Sequence, residues 1–129
     1  MNKNIDKIHK FTDLIVWQEG HKLVLMIYKI TKDFPKEERY GLTDQMRRAV
    51  VSVTSNIAEG FSRKSSKEKY KFYNASKASI TELQNQLLIA KDVKYIFKES
   101  FNKIAEQSIV VHKCINGLLK ATRLKKYEN

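Results

Sequence analysis

Apolar side chains along this chain recur three and four residues apart, the spacing that gathers them on one face of an α-helix, and strand-like alternation is weak throughout. Trp17, His21, Val24, Tyr28 and Thr31 form the first such seam, with Thr12 or Asp13 ahead of it as a side-chain cap. Pro35, the single proline, stops that helix. Lys36 to Gly41 makes a short polar connection, and Thr43 is positioned to cap a second helix. Ser65, followed three residues later by Glu68, has the form of a capping box, in which each side chain satisfies an amide left open at the helix start. Behind it Tyr73, Ser76, Ile80, Leu83, Leu87 and Ala90 keep the helical spacing, which fades near Lys94 to Lys98. The final seam is the most regular: Phe101, Ile104, Ser108, Val111, Ile115, Leu118 and Thr122.

These signals predict helices over about 13–34, 43–63, 66–94 and 99–124, with fraying around Arg123 to Asn129. Four amphipathic helices joined by short connections favour an all-α fold, an antiparallel up-and-down four-helix bundle. The whole chain, 1–129, reads as one domain of a size that buries roughly two-thirds of its unfolded surface. No solenoid repeat or low-complexity tract divides it.

The second helix differs from ordinary bundle sequence. Met46, Ala49, Val50, Val53, Ile57, Gly60 and Phe61 share one side, while Gln45, Arg48, Ser52, Ser55, Asn56, Glu59 and Arg63 gather opposite. Val51, Thr54, Ala58 and Ser62, with Arg47, form a third arc of the mixed character expected of a second protein contact. Glu59 precedes Arg63 by one turn, the favourable order for an ion pair. Gly60 costs about 1 kcal/mol against alanine inside a helix and is ordinarily kept for close backbone approach. Arg48, Asn56, Ala58, Glu59 and Gly60 are therefore the expected packing or oligomer contacts.

Charge sharpens the functional picture. The formal net charge is +11 and the pI about 9.7, which draws polyanions and makes nucleic acid the default partner. A lysine-rich solvated surface is the bland alternative, so clustering is the discriminator, and it is partial. Arg63, Lys64, Lys67, Lys69 and Lys71 crowd the corner between the second and third helices, and Lys120, Arg123, Lys125 and Lys126 crowd the C-terminus. Arg63, Lys64, Lys67, Lys71 and the C-terminal four are the candidate nucleic-acid contacts, made to phosphate and not to base edges.

Candidate catalytic chemistry is sparse. His9, His21 and His112 are isolated and form no Glu-x-x-His or His-x-x-x-His pair, so no metal site is predicted. His21 falls in the first seam, as a core or boundary histidine. Ser52, Ser55 and Glu59 share a face but have no histidine base, no glycine-rich phosphate loop is present, and no short-range Arg-to-His ribonuclease spacing occurs. Cys114, the single cysteine, reads as a quiet half-buried thiol. No catalytic residue and no cofactor are assigned. The apolar runs are too short for a membrane span and no signal-peptide pattern opens the chain, so a cytoplasmic protein is expected.

Landmarks in fixed order carry a family resemblance: Phe11, Leu14, Val16, Trp17 and Gln18; Tyr28; Phe34, Pro35 and Glu38; Tyr40 to Thr43; Gln45 to Ala49; Ser55 to Gly60; Arg63; Ser79, Glu82 and Leu83. With these the chain resembles the four-helix proteins encoded in intervening sequences of bacterial 23S rRNA genes, relatives of the accessory proteins of diversity-generating retroelements. The resemblance implies a basic protomer of a ring-like homo-oligomer, a homopentamer, without established catalysis. For the retroelement relatives it implies binding to a reverse transcriptase and to nucleic acid. Thr54 stands where relatives often carry proline, which should straighten the second helix, and Ala78 where many carry glycine.

Three functions remain open at this point. The leading one is a non-enzymatic oligomeric protein that binds RNA. The others are a protein-interaction adaptor, such as a reverse-transcriptase accessory subunit, and a nuclease acting on the intervening segment.

Overall fold

The computed structural model describes the backbone of residues 8–128 and the side chains of residues 8–123. Helices α1 (Ile15–Thr31), α2 (Leu42–Ser62), α3 (Ser66–Asp92) and α4 (Lys98–Glu128) make up the fold, with short 3₁₀ turns at Phe11–Asp13 and Lys36–Glu38. No strand occurs among the described residues. Each of α1 and α3 packs against both α2 and α4. One continuous core results, centred on Leu23, Ile27, Met46, Val50, Val53, Ile57, Ile80, Leu83, Leu87, Val111 and Ile115.

Two of the four expected helix starts are made differently. The Asp13 carboxylate turns back to accept the amides of His9 and Lys10, each at 3.0 Å, so it organises the 3₁₀ turn and does not cap α1. Helix α1 then begins after an extended Leu14 that offers no side-chain cap. Thr43 does not cap α2 either; it is buried one residue inside the helix. The Leu42 amide is taken instead by the Glu38 carboxylate at 3.0 Å. Helix α3 starts as predicted, the Ser65 hydroxyl accepting the Glu68 amide at 3.1 Å.

The seam of α1 lies one position from the expected one. Val16, Gly20, Leu23, Ile27 and Thr31 are buried, Trp17 and Val24 flank them, and His21 is exposed and stacked on Trp17 with ring centroids 4.7 Å apart. Gly20 explains the shift. It admits Thr54 of α2 so closely that a Cβ there would meet Thr54 Cγ2 at 3.0 Å, a contact that counting apolar residues passes over. The helix also stops at Thr31, short of Phe34, because a residue preceding proline is disfavoured in the α conformation. Helix α4 runs on to Glu128, past the expected end.

Between α3 and α4 the chain closes a Schellman motif: the Tyr95 amide donates to Ala90 O at 2.9 Å and the Lys94 amide to Lys91 O at 3.0 Å. Lys94 occupies the left-handed position of that motif, with φ 69°. Just beyond, Tyr95 packs against Phe34 with the rings tilted and their centroids 5.4 Å apart, and donates its hydroxyl to Glu38 at 2.8 Å, tying the α3–α4 connection to the α1–α2 connection.

Candidate functional site

The polar face of α2 is used mainly within the chain. Asn56 Nδ2 donates to the Ser52 hydroxyl at 3.0 Å and to Ser52 O at 2.8 Å. Ser52 and Ser79 hydroxyls lie 2.8 Å apart, and Ser79 in turn donates to Ala75 O at 3.1 Å. With Ser79 committed to Ala75, Ser52 is the donor to Ser79, so a directed relay runs from Asn56 on α2 across to the α3 backbone. One turn away, Ser76, fully buried, donates to Val53 O at 2.7 Å. Gly60 lies in the same seam, facing Tyr73 and Phe72. Asn56 and Gly60 thus have their packing roles inside the protomer. Ala58 is half-buried, and Arg48 and Glu59 are exposed.

The two arginines of the strip form the ion pairs that helical spacing allows, Arg48 with Asp44 at 2.9 Å and Arg63 with Glu59 at 3.0 Å. Both pairs are exposed enough that each contributes only a few tenths of a kcal/mol. Arg63 also lies over the Phe72 ring, 4.6 Å from its centroid, and its Nε is enclosed without a hydrogen-bond partner. The guanidinium is therefore partly turned onto its own chain.

Around that corner Lys64, Lys67 and Lys71 are exposed, as are Lys120 and Arg123 on α4. Among the described residues none of these five makes an ion pair. Lys69 behaves differently. Its ammonium donates to Phe61 O at 2.8 Å and Gly60 O at 3.3 Å, closing the carbonyl end of α2, where a cation meets the negative end of the helix dipole. Nothing in its spacing separates Lys69 from its solvated neighbours, since its partners are backbone carbonyls of the preceding helix. Lys125 and Lys126, the other expected phosphate contacts, lie outside the described side chains.

Other chemistry-bearing groups have structural environments. Burial pushes the Cys114 thiol above its ordinary value, with the Glu19 carboxylate adding to the shift, so the reactive thiolate is disfavoured. Glu19 itself accepts Gln107 Nε2 at 3.0 Å, which holds its carboxyl below the ordinary range and joins α1 to α4. Among the described residues no group of three or more His, Cys, Asp or Glu side chains is arranged to hold a metal. None of the described helices is long and apolar enough to cross a membrane.

Comparison with known proteins agrees with this architecture. A crystal structure of a protein of unknown function from the S23 ribosomal protein family of Bacteroides thetaiotaomicron superposes with a TM-score of 0.76 at 20% identity, covering 82% of this chain and 96% of that one. That likeness establishes the fold. No curated protein matches the sequence. The model of the 23S rRNA-intervening sequence protein family matches residues 12–117, most of the bundle, and this chain belongs to that family.

Proposed function

We propose that the protein is a non-enzymatic, self-associating RNA-binding protein, built as an antiparallel up-and-down bundle that grips phosphates with its basic end. The observation that carries this reading is the set of five exposed cations, Lys64, Lys67, Lys71, Lys120 and Arg123, that pair with no carboxylate among the described residues. Contact register supports their convergence. Gly60 meets Tyr73 and Val53 meets Ser76, while Gln84 meets Ser108 and Lys91 meets Phe101, so ascending numbers on one helix face descending numbers on the next. Carried along α4, that register brings Lys120 level with Phe72 and Arg123 level with Lys69.

Phosphate contact predicts strong salt dependence, because each neutralised phosphate releases condensed counterions. Affinity for RNA measured from about 50 to 200 mM salt should fall steeply on a log–log plot, and replacing Lys64, Lys67 and Lys71 by alanine should reduce the slope by roughly 2 to 3. Salt-independent binding, or an unchanged slope in the triple variant, overturns the assignment.

Self-association is supported by side chains the protomer leaves uncovered, including Ile15, Leu25, Val51, Ile109 and Val110. With Asn56 and Gly60 occupied internally, Val51, an exposed large apolar side chain of α2, and the half-buried Ala58 are the positions of α2 to test for contact with a second copy. Light scattering should give a ring-sized mass for the natural chain and a protomer mass for Val51→Glu at unchanged helicity. A ring that survives both Val51→Glu and Ala58→Glu excludes this face of α2 as the contact.

A further inference from the structure

The two most exposed large apolar side chains among the described residues are Tyr40 and Phe97, each 86% accessible. They stand in the α1–α2 and α3–α4 connections, which the Tyr95–Glu38 hydrogen bond and the tilted Phe34–Tyr95 ring contact hold together. This is the end of α2 remote from Arg63. Each ring borders an open groove walled by cations. Tyr40 lies beside Lys32, Lys36, Arg39 and Arg47 around a cavity of about 530 Å³. Phe97 lies beside Lys91, Lys94 and Lys98 around one of about 540 Å³.

Among the described residues no carboxylate lines either groove. Of the acids nearby, Glu38 is committed to the Leu42 amide and Tyr95, and Asp92 is paired with Lys91 at 3.8 Å; Asp33, Glu37 and Glu99 are exposed outside the walls. Arg47 is already oriented, donating from Nε to Thr31 Oγ1 at 2.9 Å and lying over Tyr28 at 4.7 Å. Lys94 adds a second indication. It holds the left-handed conformation that glycine adopts without steric penalty, so a charged side chain is kept there against the backbone preference.

Solvent-exposed rings set among cations are the elements of a single-strand platform, where bases stack on aromatic faces and the backbone follows the positive groove. A membrane-seated surface would instead present a broad contiguous apolar face, whereas Tyr40 and Phe97, the latter sharing its groove with Ile96 and Phe101, are flanked by lysines and arginines. We propose that this end of the bundle binds single-stranded RNA, with bases stacking on Tyr40 and Phe97 and phosphates held by Lys36, Arg39, Lys94 and Lys98. The proposal rests on the RNA-binding reading but uses a different surface and a different interaction, stacking in addition to charge.

The test measures binding of a labelled, unstructured uridine oligomer to the full chain at low salt. Tyr40→Leu and Phe97→Leu remove a ring without changing charge, so each should weaken binding roughly 5- to 100-fold while leaving helicity and the salt slope unchanged. Lys94→Gly should weaken binding yet raise the thermal midpoint, a combination that a purely structural residue does not give. Ring variants that bind within twofold of the natural chain overturn the platform. If the corner alanine variant loses the oligomer and the ring variants do not, the platform alone fails; if the natural chain binds no RNA, both readings fail. Binding to phosphatidylserine vesicles that requires Phe97, with RNA binding indifferent to it, overturns the proposal in favour of a membrane surface.

Discussion

A Cβ placed on Gly60 would stand 2.5 Å from Cε1 of Tyr73, closer than packed atoms approach, so the tyrosine ring occupies the space a side chain at 60 would need. Tyr73 is itself buried, and burial raises its hydroxyl above the ordinary value for tyrosine. Helix propensity and packing therefore make opposite predictions for Gly60→Ala. Propensity favours alanine by about 1 kcal/mol, whereas overpacking a filled seam costs about 1–3 kcal/mol. Because the obstructing atoms belong to a ring anchored in the core, packing should win and urea denaturation should show a less stable variant. Gly60→Ala with Tyr73→Leu should recover part of the loss, and a stabilised single variant would show that the seam yields.

Glu38 joins both connections at one end of the bundle, and its ionised form is the one that makes those bonds. The Leu42 amide first, and then the Tyr95 hydroxyl, lower its carboxyl from the ordinary 4.5. A lowered folded value means that the contribution is present above about 4.5 and is lost as pH falls through the folded value. Tyr95 shifts the other way, raised from 10.0 chiefly by its bond to Glu38, so its contribution is complete below that value and is lost as pH rises through the folded one. Thermal midpoints of Glu38→Gln should lie below those of the natural chain at neutral pH and converge with them in acid. Tyr95→Phe should remove the alkaline loss assigned to this bond. A constant offset for Glu38→Gln from pH 2 to 7 would contradict the linkage.

Gln86 is 3% exposed, and its Oε1 has no partner, while Nε2 reaches Glu82 at a long 3.4 Å. A buried acceptor left unsatisfied carries a desolvation penalty of about 1–3 kcal/mol that an apolar residue of similar length avoids. Gln86→Met should raise stability by about 1 kcal/mol, measured as an increased urea midpoint at unchanged slope. If the variant is instead destabilised while remaining monodisperse, the glutamine oxygen has a partner in solution.

How far the fold was legible follows from what each helix shows of its surroundings. The buried positions of α3 match the predicted seam, because Tyr73, Ser76, Ile80, Leu83, Leu87 and Ala90 repeat on one side of a long helix whose start is marked by its own Ser65 cap. Helix α1 was offset by one position, since its closest approach to α2 is made by Gly20, whose missing side chain is the reason for the contact. The caps at Asp13 and Glu38 were not legible from spacing alone, since the same carboxylate can turn backward or forward with no change in sequence.

Periodicity, breakers and local caps act over a few residues, so the amino-acid order by itself determined the number of helices, most of their bounds, the family landmarks and the excess of positive charge. The meaning of particular polar side chains was decided only by the tertiary structure. Asn56 became the head of a relay that Ser52 carries across 27 residues to Ser79, Lys69 a cap on Phe61, 8 residues back in the preceding helix, and Glu38 a clasp to Tyr95, 57 residues further on. Hydrogen bonds and ring packing depend on which groups meet within a few ångströms, and that proximity exists only once the helices have packed.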